Sequence, residues 1–369
     1  MTVILSIATA LLLTVTLLPL WRNPYWLIRA MEFARLQFAV LGLSLLIAHF
    51  WLLDTHAALS ITLLTATVFS IVWQLRWIIP YTRLMPREVL DAINAPPEQC
   101  IRILTANVLD TNRDAKPLIA LIQKHNPDVL VTLESDQWWQ DQLDVLEAEM
   151  PHTLKRTETN GYGMHVYSRL PLRDTEIAYL VEPDKPSMHL LVTLRSGQQV
   201  RMHILHPAPP SPTENLESTE RDAELVIVAR KVAESEQPII VTGDFNDVAW
   251  SATTRLFRKI SKLLDPRVGR GMFNTFHAKY FFCRWPLDYI FHSRHFTLIS
   301  MQRLPRFGSD HFALLTNLAF TPREAGDQKG LDADADDHEH ADEIAAEAKI
   351  RANGVSGPGA SVWQIPGEG

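Results

Sequence analysis

Residues 239–246 read Ile-Ile-Val-Thr-Gly-Asp-Phe-Asn, a β-branched run that changes abruptly to glycine and polar residues. Branched apolar residues favour a strand, and glycine with Asp and Asn favours a turn directly after it. The stretch therefore predicts a buried strand that ends in two polar side chains, Asp244 and Asn246. Polar side chains at the ends of strands commonly form active sites.

The same arrangement recurs on both sides of this stretch. Each of the following residues follows or closes an apolar run: Asn107, Glu134, His206, Asp288, Asp310 and His311. Carboxylate oxygens suit a hard cation such as Mg²⁺, and an acid beside a histidine stabilises its protonated form. Each residue alone is explained as a turn former or a structural residue. Together they supply what phosphoester hydrolysis needs: a cation, a positioned water and donors for the phosphoryl oxygens.

These residues resemble the motifs of the endonuclease/exonuclease/phosphatase superfamily. Residues 243–246 resemble its GDFN motif, 308–311 its closing SDH motif, and 287–290 its D-Y/H-I/V strand. Residues 105–107 and 133–135 resemble its opening Asn and Glu motifs, and 205–207 occupy the place of its central His. The resemblance covers about residues 100–320 and includes every motif in order, which makes it specific at the superfamily level.

The resemblance implies a four-layer α/β sandwich (DNase-like) with the site at one edge, and it implies a role for each residue. Glu134 would be the main ligand of Mg²⁺ (or Mn²⁺), with Asn107 and Asp310 assisting. Asp244 would orient or deprotonate the attacking water, and Asn246 would contact phosphate. The residues that would hold and polarise the phosphate are His206 and His311, the latter paired with Asp288. The central motif departs from the common Thr-His-Leu, since it reads Leu-His-Pro here.

Local patterns predict strands with helices between them over residues 100–320, as in α/β sheets. Apolar runs predict strands at 101–104, 129–133, 163–167, 188–194, 200–205, 239–241, 287–291, 297–302 and 312–318. A helix is predicted at 117–125. A second is predicted from the capping box at 211–214 to near Glu236.

The first eighty residues predict three transmembrane helices, at about residues 2–20, 36–53 and 57–79. Charge-free runs of near 20 residues occur in each window, and about 20 residues cross a bilayer as a helix. The first run lacks the basic start and the small-residue cleavage site of a secretory signal. This front end resembles that of bacterial membrane members of the superfamily.

Basic residues predict the orientation in the membrane. Arg22, Arg29 and Arg35 lie between the first two runs, and Arg76, Arg83 and Arg87 follow the third. Because such residues favour the cytoplasm, the N-terminus is predicted outside and the large domain inside. The sequence thus predicts a multi-pass protein of the cell inner membrane with a cytoplasmic catalytic domain.

Composition divides the rest of the chain. Residues 81–99 are predicted to be a linker, 100–320 the hydrolytic domain, and 321–369 a disordered acidic tail that cannot bury enough apolar surface to fold. Residues 1–80 carry a net charge of +2, residues 81–320 of −2 and residues 321–369 of −7. Cys100 and Cys283 have no metal-site spacing and are predicted to be free thiols.

Three functions are compatible with these features. The first is a membrane-anchored, metal-dependent hydrolase of a phosphodiester or phosphomonoester, with a lipid headgroup or a nucleotide as substrate. The second is an endonuclease or exonuclease, which the near-neutral charge of residues 81–320 does not favour. The third is a non-enzymatic membrane adaptor, against which the intact set of site residues argues.

Overall fold

The computed structural model describes residues 1–354, which form two compact units. The first unit comprises Met1–Pro86, Pro210–Ser218 and Gly269–Gly271. The second comprises Arg87–Pro209, Thr219–Val268 and the chain from Met272 onward, and it contains every predicted site residue. Residues 355–369 of the predicted acidic tail lie outside the described residues.

The first unit contains four helices: α1 (Thr2–Leu17), α2 (Trp26–Phe33), α3 (Arg35–Leu52) and α4 (Ala58–Ile78). Three segments are long and apolar enough to cross a membrane: Thr2–Leu20, Arg35–Leu52 and Ala58–Tyr81. These agree with the three predicted helices to within two residues at each end. Most of their side chains face outward, as expected of helices whose solvent is lipid. Helix α2, in the loop after the first span, was not predicted.

Buried polar side chains join the three long helices of this unit. Gln74 on α4 donates to the hydroxyl of Thr16 on α1 at 3.1 Å and accepts from Arg35 on α3 at 3.2 Å. Thr9 and His49 form a further contact of 3.2 Å between α1 and α3. Such hydrogen bonds hold helices together where lipid provides no hydrophobic driving force.

The second unit contains two mixed sheets. Their strands are β1 (Cys100–Asn107), β2 (Val129–Leu133), β3 (His152–Arg156), β4 (Met164–Ser168), β5 (Leu172–Ala178), β6 (Ser187–Thr193), β7 (Gln199–Leu205), β8 (Ile239–Asp244), β9 (Asp288–His292), β10 (Phe296–Arg303) and β11 (Leu314–Phe320). The first sheet has the order β10-β11-β1-β2-β4-β3, and the second has the order β5-β6-β7-β8-β9. The parallel pairs are β1 with β2 and β7 with β8.

Helices cover the outer faces of the two sheets, which gives the predicted four layers. They are α5 (Lys116–His125), α6 (Gln137–Leu143), α7 (Thr219–Ala233) and α8 (Ala252–Ser261). Residues that alternate along the strands fill the space between the sheets, for example Ile103 of β1 and Met202 of β7. The opposite face of β1 and β2 packs against α5 and α6 through Leu118 and Trp139. The predicted fold class is confirmed.

Two strands of the sheets and two of the helices that cover them were not predicted from the sequence. Strands β3 and β5 lie at sheet edges and read His-Thr-Leu-Lys-Arg and Leu-Arg-Asp-Thr-Glu-Ile-Ala, with few buried positions. Edge strands carry charged residues that hide the alternating pattern. Helices α6 and α8 are short. Their N-cap residues are Asp136 and Ser251, whose side chains accept hydrogen bonds from backbone N–H groups of the first turn.

The helix predicted from residue 212 begins at Thr219 instead. The capping box at 211–214 does not start a helix, because residues 210–218 belong to the first unit. There the N–H of Trp26 donates to the carbonyl of Leu216 at 2.9 Å, and that of Ser218 to Pro24 at 2.9 Å. These hydrogen bonds take the place of a first helical turn.

Part of the predicted disordered tail is helical. Helix α9 spans Ala335–Gly354 and buries Ala341, Ile344, Ala345 and Ala348 on one face. Asp342 pairs with Arg230 of α7 at 2.5 Å, and Asp337 pairs with Lys259 of α8 at 2.6 Å. Acidic residues of α9 thus pair with basic residues on two other helices. The buried apolar residues of α9 are spaced by three and four positions and form one apolar stripe. This finding differs from the expectation of disorder for residues 335–354.

The predicted linker is also partly ordered. Leu90 accepts a backbone hydrogen bond from Leu298, and Ala92 donates one to Leu298, both at 2.9 Å. Glu88 pairs with Arg258 on α8. The second unit therefore starts at residue 87, inside the segment 81–99 that was expected to be a linker.

Candidate active site

The predicted site residues come from strand ends of both sheets. Asn107 ends β1, and Glu134 directly follows β2, which runs parallel to β1. Asp244 ends β8, whose register places it opposite Asp288 at the start of β9. Parallel neighbours end at the same edge of a sheet, so the alternation of strands and helices brings these side chains to one edge.

Asn107 connects the polar groups of the two sheets. Its Nδ2 donates to Oε1 of Glu134 at 2.7 Å and to Oδ2 of Asp244 at 3.1 Å. Its own Oδ1 accepts from the N–H of Leu109 at 3.1 Å, which fixes the orientation of the amide. A single amide therefore holds one carboxylate from each sheet beside the other.

His311 lies between two carboxylates on the other side of Asp244. Its Nδ1 contacts Oδ2 of Asp288 at 2.8 Å, and its Nε2 lies 3.5 Å from Oδ2 of Asp244. Burial lowers the pKa of His311, but the charges of Asp288 and Asp244 and the hydrogen bond to Asp288 raise it overall to about 10. At neutral pH the ring is an imidazolium with a donor on each side.

Burial dominates the ionisation of the two central carboxylates. Burial raises the pKa of Glu134 from 4.5 to about 6; the hydrogen bond from Asn107 opposes this, and the charge of Asp310 adds to it. Burial also raises the pKa of Asp244, against the lowering effect of His311. Carboxyl groups with raised pKa values are typical of functional sites.

The donor set at Glu134 fits a hard divalent cation. Glu134 and Asp310 are both half-buried, and the charge of Asp310 raises the pKa of Glu134. Neither carboxylate forms an ion pair with Lys or Arg within residues 1–354. A cation held by these carboxylate oxygens would offset their negative charge.

A second group of ligand-type atoms lies next to this set. Asp244, Asp288 and His311 each bring a potential ligand atom within 4.8 Å of the others. Geometry alone would permit a metal there. However, both ring nitrogens of His311 face carboxylates, and an imidazolium has no lone pair for a metal. These three residues form a hydrogen-bonded charge network beside Glu134 and Asn107.

The structure places His206 behind the network. It directly follows β7, is fully buried, and its ring centroid lies 5.0 Å from that of Tyr162. Burial, together with the charge of His311, lowers the pKa of His206 to about 3. Its Nδ1 has no hydrogen-bond partner in the described part of the chain. A neutral imidazole with one free buried nitrogen is available to a polar ligand.

Backbone and side-chain hydrogen bonds hold Asn246 and Asp310 in the site. The N–H of Asn246 donates to Oδ1 of Asp244 at 2.9 Å, and its Nδ2 donates to the carbonyl of Pro207 at 3.0 Å. The carbonyl of Asp310 accepts from the N–H of Ala278 at 2.5 Å. The structure thus brings all eight predicted residues to one edge, six of them linked by direct contacts.

Sequence reasoning did not identify three residues that support the site. The hydroxyl of Ser309 donates to the carbonyl of Asn107 at 2.8 Å and accepts from the N–H of His311 at 2.9 Å. Its place in the Gly-Ser-Asp-His motif was the available signal. Tyr162 packs on His206, and the Lys185 ammonium lies 5.0 Å from the centre of the Tyr162 ring. Tyr162 lies in a Gly-Tyr-Gly stretch whose plain interpretation is a turn before a strand, and no local pattern marked Lys185.

Gly243 permits the close approach of two strands beside Asp244. Its φ is +142°, and a Cβ there would lie 1.9 Å from the carbonyl oxygen of Leu205. Only glycine fits such an approach without moving a strand. The glycine of the Gly-Asp-Phe-Asn stretch therefore has a steric function.

The fold and the site together define a class of metal-dependent phosphoester hydrolases. Residues 104–311 match the model of the Endonuclease/Exonuclease/phosphatase family. This match covers more than half of the chain, which therefore belongs to that family. Its members are metal-dependent phosphoric ester hydrolases that use divalent metals.

Solved structures show the same fold at low sequence identity. The human Nocturnin catalytic domain with bound sulfate anion is 18% identical and covers 64% of this chain and 98% of its own, with a TM-score of 0.51. An endonuclease/exonuclease/phosphatase from Beutenbergia cavernae is 19% identical and covers 60% and 72%, with a TM-score of 0.50. D. rerio TDP2 complexed with a single strand DNA product is 18% identical and covers 59% and 98%, with a TM-score of 0.49. No curated protein matches the chain.

Proposed function

We propose that this protein is a membrane-anchored phosphoesterase that hydrolyses a phosphodiester or phosphomonoester by metal-assisted attack of water. The observation that supports it is the run of contacts from Glu134 through Asn107, Asp244 and His311 to Asp288. It places two carboxylates next to an imidazolium at one sheet edge. Such an arrangement suits a reaction in which charge develops on phosphoryl oxygens.

Glu134 and Asp310 would hold Mg²⁺ (or Mn²⁺), and Asn107 would assist by orienting Glu134 through its Nδ2. When bound, the cation would supply charge stabilisation for the phosphoryl oxygens. Glu134 is the main ligand in this proposal, because it is a half-buried carboxylate that Asn107 and the N–H of Asp110 orient and that has no Lys or Arg partner. The chemistry of the donor set favours magnesium or manganese over softer metals.

The remaining residues would act on water and phosphate. Asp244 orients or deprotonates the attacking water, and its raised pKa suits a proton acceptor. The His311 imidazolium, oriented by Asp288, donates to a phosphoryl oxygen. His206 and Asn246 hold the phosphate from the adjacent loops. Each role is carried by an atom at the same sheet edge.

The location follows from the first unit. Three helices of sufficient length and apolar character precede the catalytic unit. With Arg22, Arg29 and Arg35 in the first loop and Arg76 and Arg83 after the third span, the catalytic unit lies on the cytoplasmic side of the inner membrane. A C-terminal reporter that is active only in the periplasm would reverse this orientation.

The test uses the full chain purified in detergent. Bis-p-nitrophenyl phosphate, phospholipid and plasmid DNA are each offered with Mg²⁺ and then with EDTA. Turnover of an ester should require the metal, and Asp244→Asn should lose it, whereas the exposed Asp141→Asn should keep it. Plasmid nicking that depends on Asp244 would favour the nuclease. Absence of metal-dependent turnover would favour the adaptor, and full activity in Asp310→Ala would disprove the metal assignment.

A further inference from the structure

A short hairpin extends from the candidate site. Residues 275–285, here called the aromatic hairpin, pair backbone groups at their two ends. The N–H of Phe276 donates to the carbonyl of Trp285 at 3.0 Å, and that of His277 to Cys283 at 2.8 Å. The chain between these pairs forms a tip that comprises residues 278–282.

The tip exposes three consecutive aromatic side chains. Tyr280, Phe281 and Phe282 are 43%, 78% and 60% exposed. Within the described part of the second unit, no other run of neighbouring large apolar residues is exposed in this way. Exposed apolar groups that are adjacent in space mark a surface for a partner or a membrane.

Four cations lie in the hairpin or beside its base. Lys279 and Arg284 belong to the hairpin, and Arg303 and Arg306 lie near it, since Arg303 and Arg284 both stack on Phe312. None of the four forms an ion pair with a carboxylate among residues 1–354. Unpaired cations beside exposed aromatic rings are complementary to an anionic surface with an apolar interior.

The base of the hairpin contacts the site itself. The ring of Phe276 lies 4.9 Å from the ring of His311, and the N–H of Ala278 donates to the carbonyl of Asp310 at 2.5 Å. The hydroxyl of Thr275 accepts from the N–H of Asp288 at 3.1 Å. Whatever binds the tip is therefore held within a few residues of the reacting groups.

A short segment joins the third candidate span to the second unit. The third candidate span ends at Tyr81, and the second unit begins at Arg87. Residues 82–86 separate them, and such a segment reaches at most about 20 Å when fully extended. A membrane that holds the third span therefore lies within about 20 Å of Arg87.

We propose that the aromatic hairpin inserts into the interface of an anionic membrane and presents lipid headgroup phosphates to the adjacent site. Phe281 and Phe282 enter the apolar boundary, and Lys279 and Arg284 pair with lipid phosphates. This inference rests on the proposed phosphoesterase function and specifies a membrane phospholipid as the substrate class.

A lipid surface explains the hairpin better than a nucleic acid does. Aromatic rings and cations also bind single strands by stacking. However, the side chains with the greatest exposure are phenylalanines at a projecting tip, and the chain carries its own membrane spans. Residues 81–320 also have a net charge of −2, which weakens attraction to an extended polyanion.

The first experiment measures the depth of the tip without using catalysis. The full chain carrying Cys100→Ser, Cys283→Ser and Phe281→Cys is spin-labelled and placed in nanodiscs of phosphatidylcholine and phosphatidylglycerol. The label should be accessible to oxygen and shielded from a water-soluble nickel chelate. The matched control is Val145→Cys, a position of the same unit that is 66% exposed, and its label should show the opposite pattern.

Equal exposure of both labels to the nickel chelate would overturn the inference, whether or not the enzyme is active. Shielding of the tip label by a single-stranded oligonucleotide but not by lipid would also overturn it, in favour of a nucleic acid. A shielded tip in a protein that hydrolyses no ester would refute the proposed function and the lipid substrate, but not the membrane contact.

The second experiment compares two substrates. Phe281→Ser should lower the ratio of phospholipid turnover to bis-p-nitrophenyl phosphate turnover by about tenfold, because a buried aromatic side chain is lost from the membrane contact. Lys279→Gln should lower it by about fivefold on anionic lipid and leave it unchanged on neutral lipid. Val145→Ser should not change the ratio. An unchanged ratio in Phe281→Ser would contradict the proposal.

Discussion

Replacing Asp288 with Asn tests the electrostatic support of His311. Asp288 accepts a hydrogen bond from Nδ1 at 2.8 Å, and Asp244 lies 3.5 Å from Nε2. Burial alone would lower the pKa of His311, and the two carboxylates raise it from 6.5 to about 10. Asn keeps the shape of Asp288 and removes its charge, so the pKa of His311 should fall.

The size of the effect follows from this shift. Because the pKa of His311 is raised, the imidazolium persists at neutral pH and is lost only as the pH rises through the raised pKa. If the pKa returned to 6.5, about a tenth of His311 would be protonated at about pH 7.5, which lowers the rate about tenfold. Loss of the charged partner that orients the ring adds to this, so we expect kcat to fall by about 10² to 10³.

The assay is the pH–rate profile of the full chain with bis-p-nitrophenyl phosphate at saturating Mg²⁺. In Asp288→Asn the alkaline limb should move to lower pH, and part of the lost rate should return on acidification. Asp141→Asn provides the control, since it removes an exposed carboxylate from the same unit. An unchanged kcat, or a lowered rate whose alkaline limb has not moved, would refute the assigned link between Asp288 and the protonation of His311.

Three further predictions concern single residues. Glu134→Gln should raise the Mg²⁺ concentration required for half-maximal activity more than about tenfold. In the unaltered protein that concentration should rise as the pH falls through about 6, because protons then compete with Mg²⁺ for Glu134. Burial raises the pKa of Glu224 from 4.5 to about 8, so stability is lost as the pH rises between these values. Glu224→Gln should therefore increase the free energy of unfolding, measured by chemical denaturation at about pH 7, by about 3 kcal/mol. The exposed control Glu234→Gln should leave this free energy unchanged. Gly243→Ala should lower the free energy of unfolding by more than about 2 kcal/mol, because its Cβ would meet the carbonyl of Leu205. The thermal midpoint should therefore fall, and a midpoint equal to that of the unaltered protein would contradict the steric explanation.

The sequence predicted the helices and strands whose side chains are apolar at nearly every position. The three long apolar segments were placed to within two residues, because lipid-facing helices need apolar residues at nearly every position. Buried central strands such as β2 and β8 were equally clear, since both faces of each are covered. The edge strands β3 and β5 were missed because solvent on one side permits charged residues.

The capping box at 211–214 and the acidic helix α9 show where local reasoning fails. A capping box predicts a helix only if its backbone N–H groups have no other partner, and here residues 216 and 218 pair with the chain near Trp26. Helix α9 is acidic enough to predict disorder, yet Arg230 and Lys259 supply the opposite charges. Both outcomes depend on residues far away in the sequence.

For the site, the sequence by itself determined the chemical types and their order: oxygen donors at Asn107, Glu134 and Asp310, and a His–Asp pair. The tertiary structure alone decided which atoms meet, because strands from two sheets must pack before Asn107 can bind Glu134 and Asp244 together. It also decided the ionisation of these groups, since burial sets their pKa values and depends on the whole fold. Hydropathy and motifs act locally, whereas distances and desolvation arise only from packing.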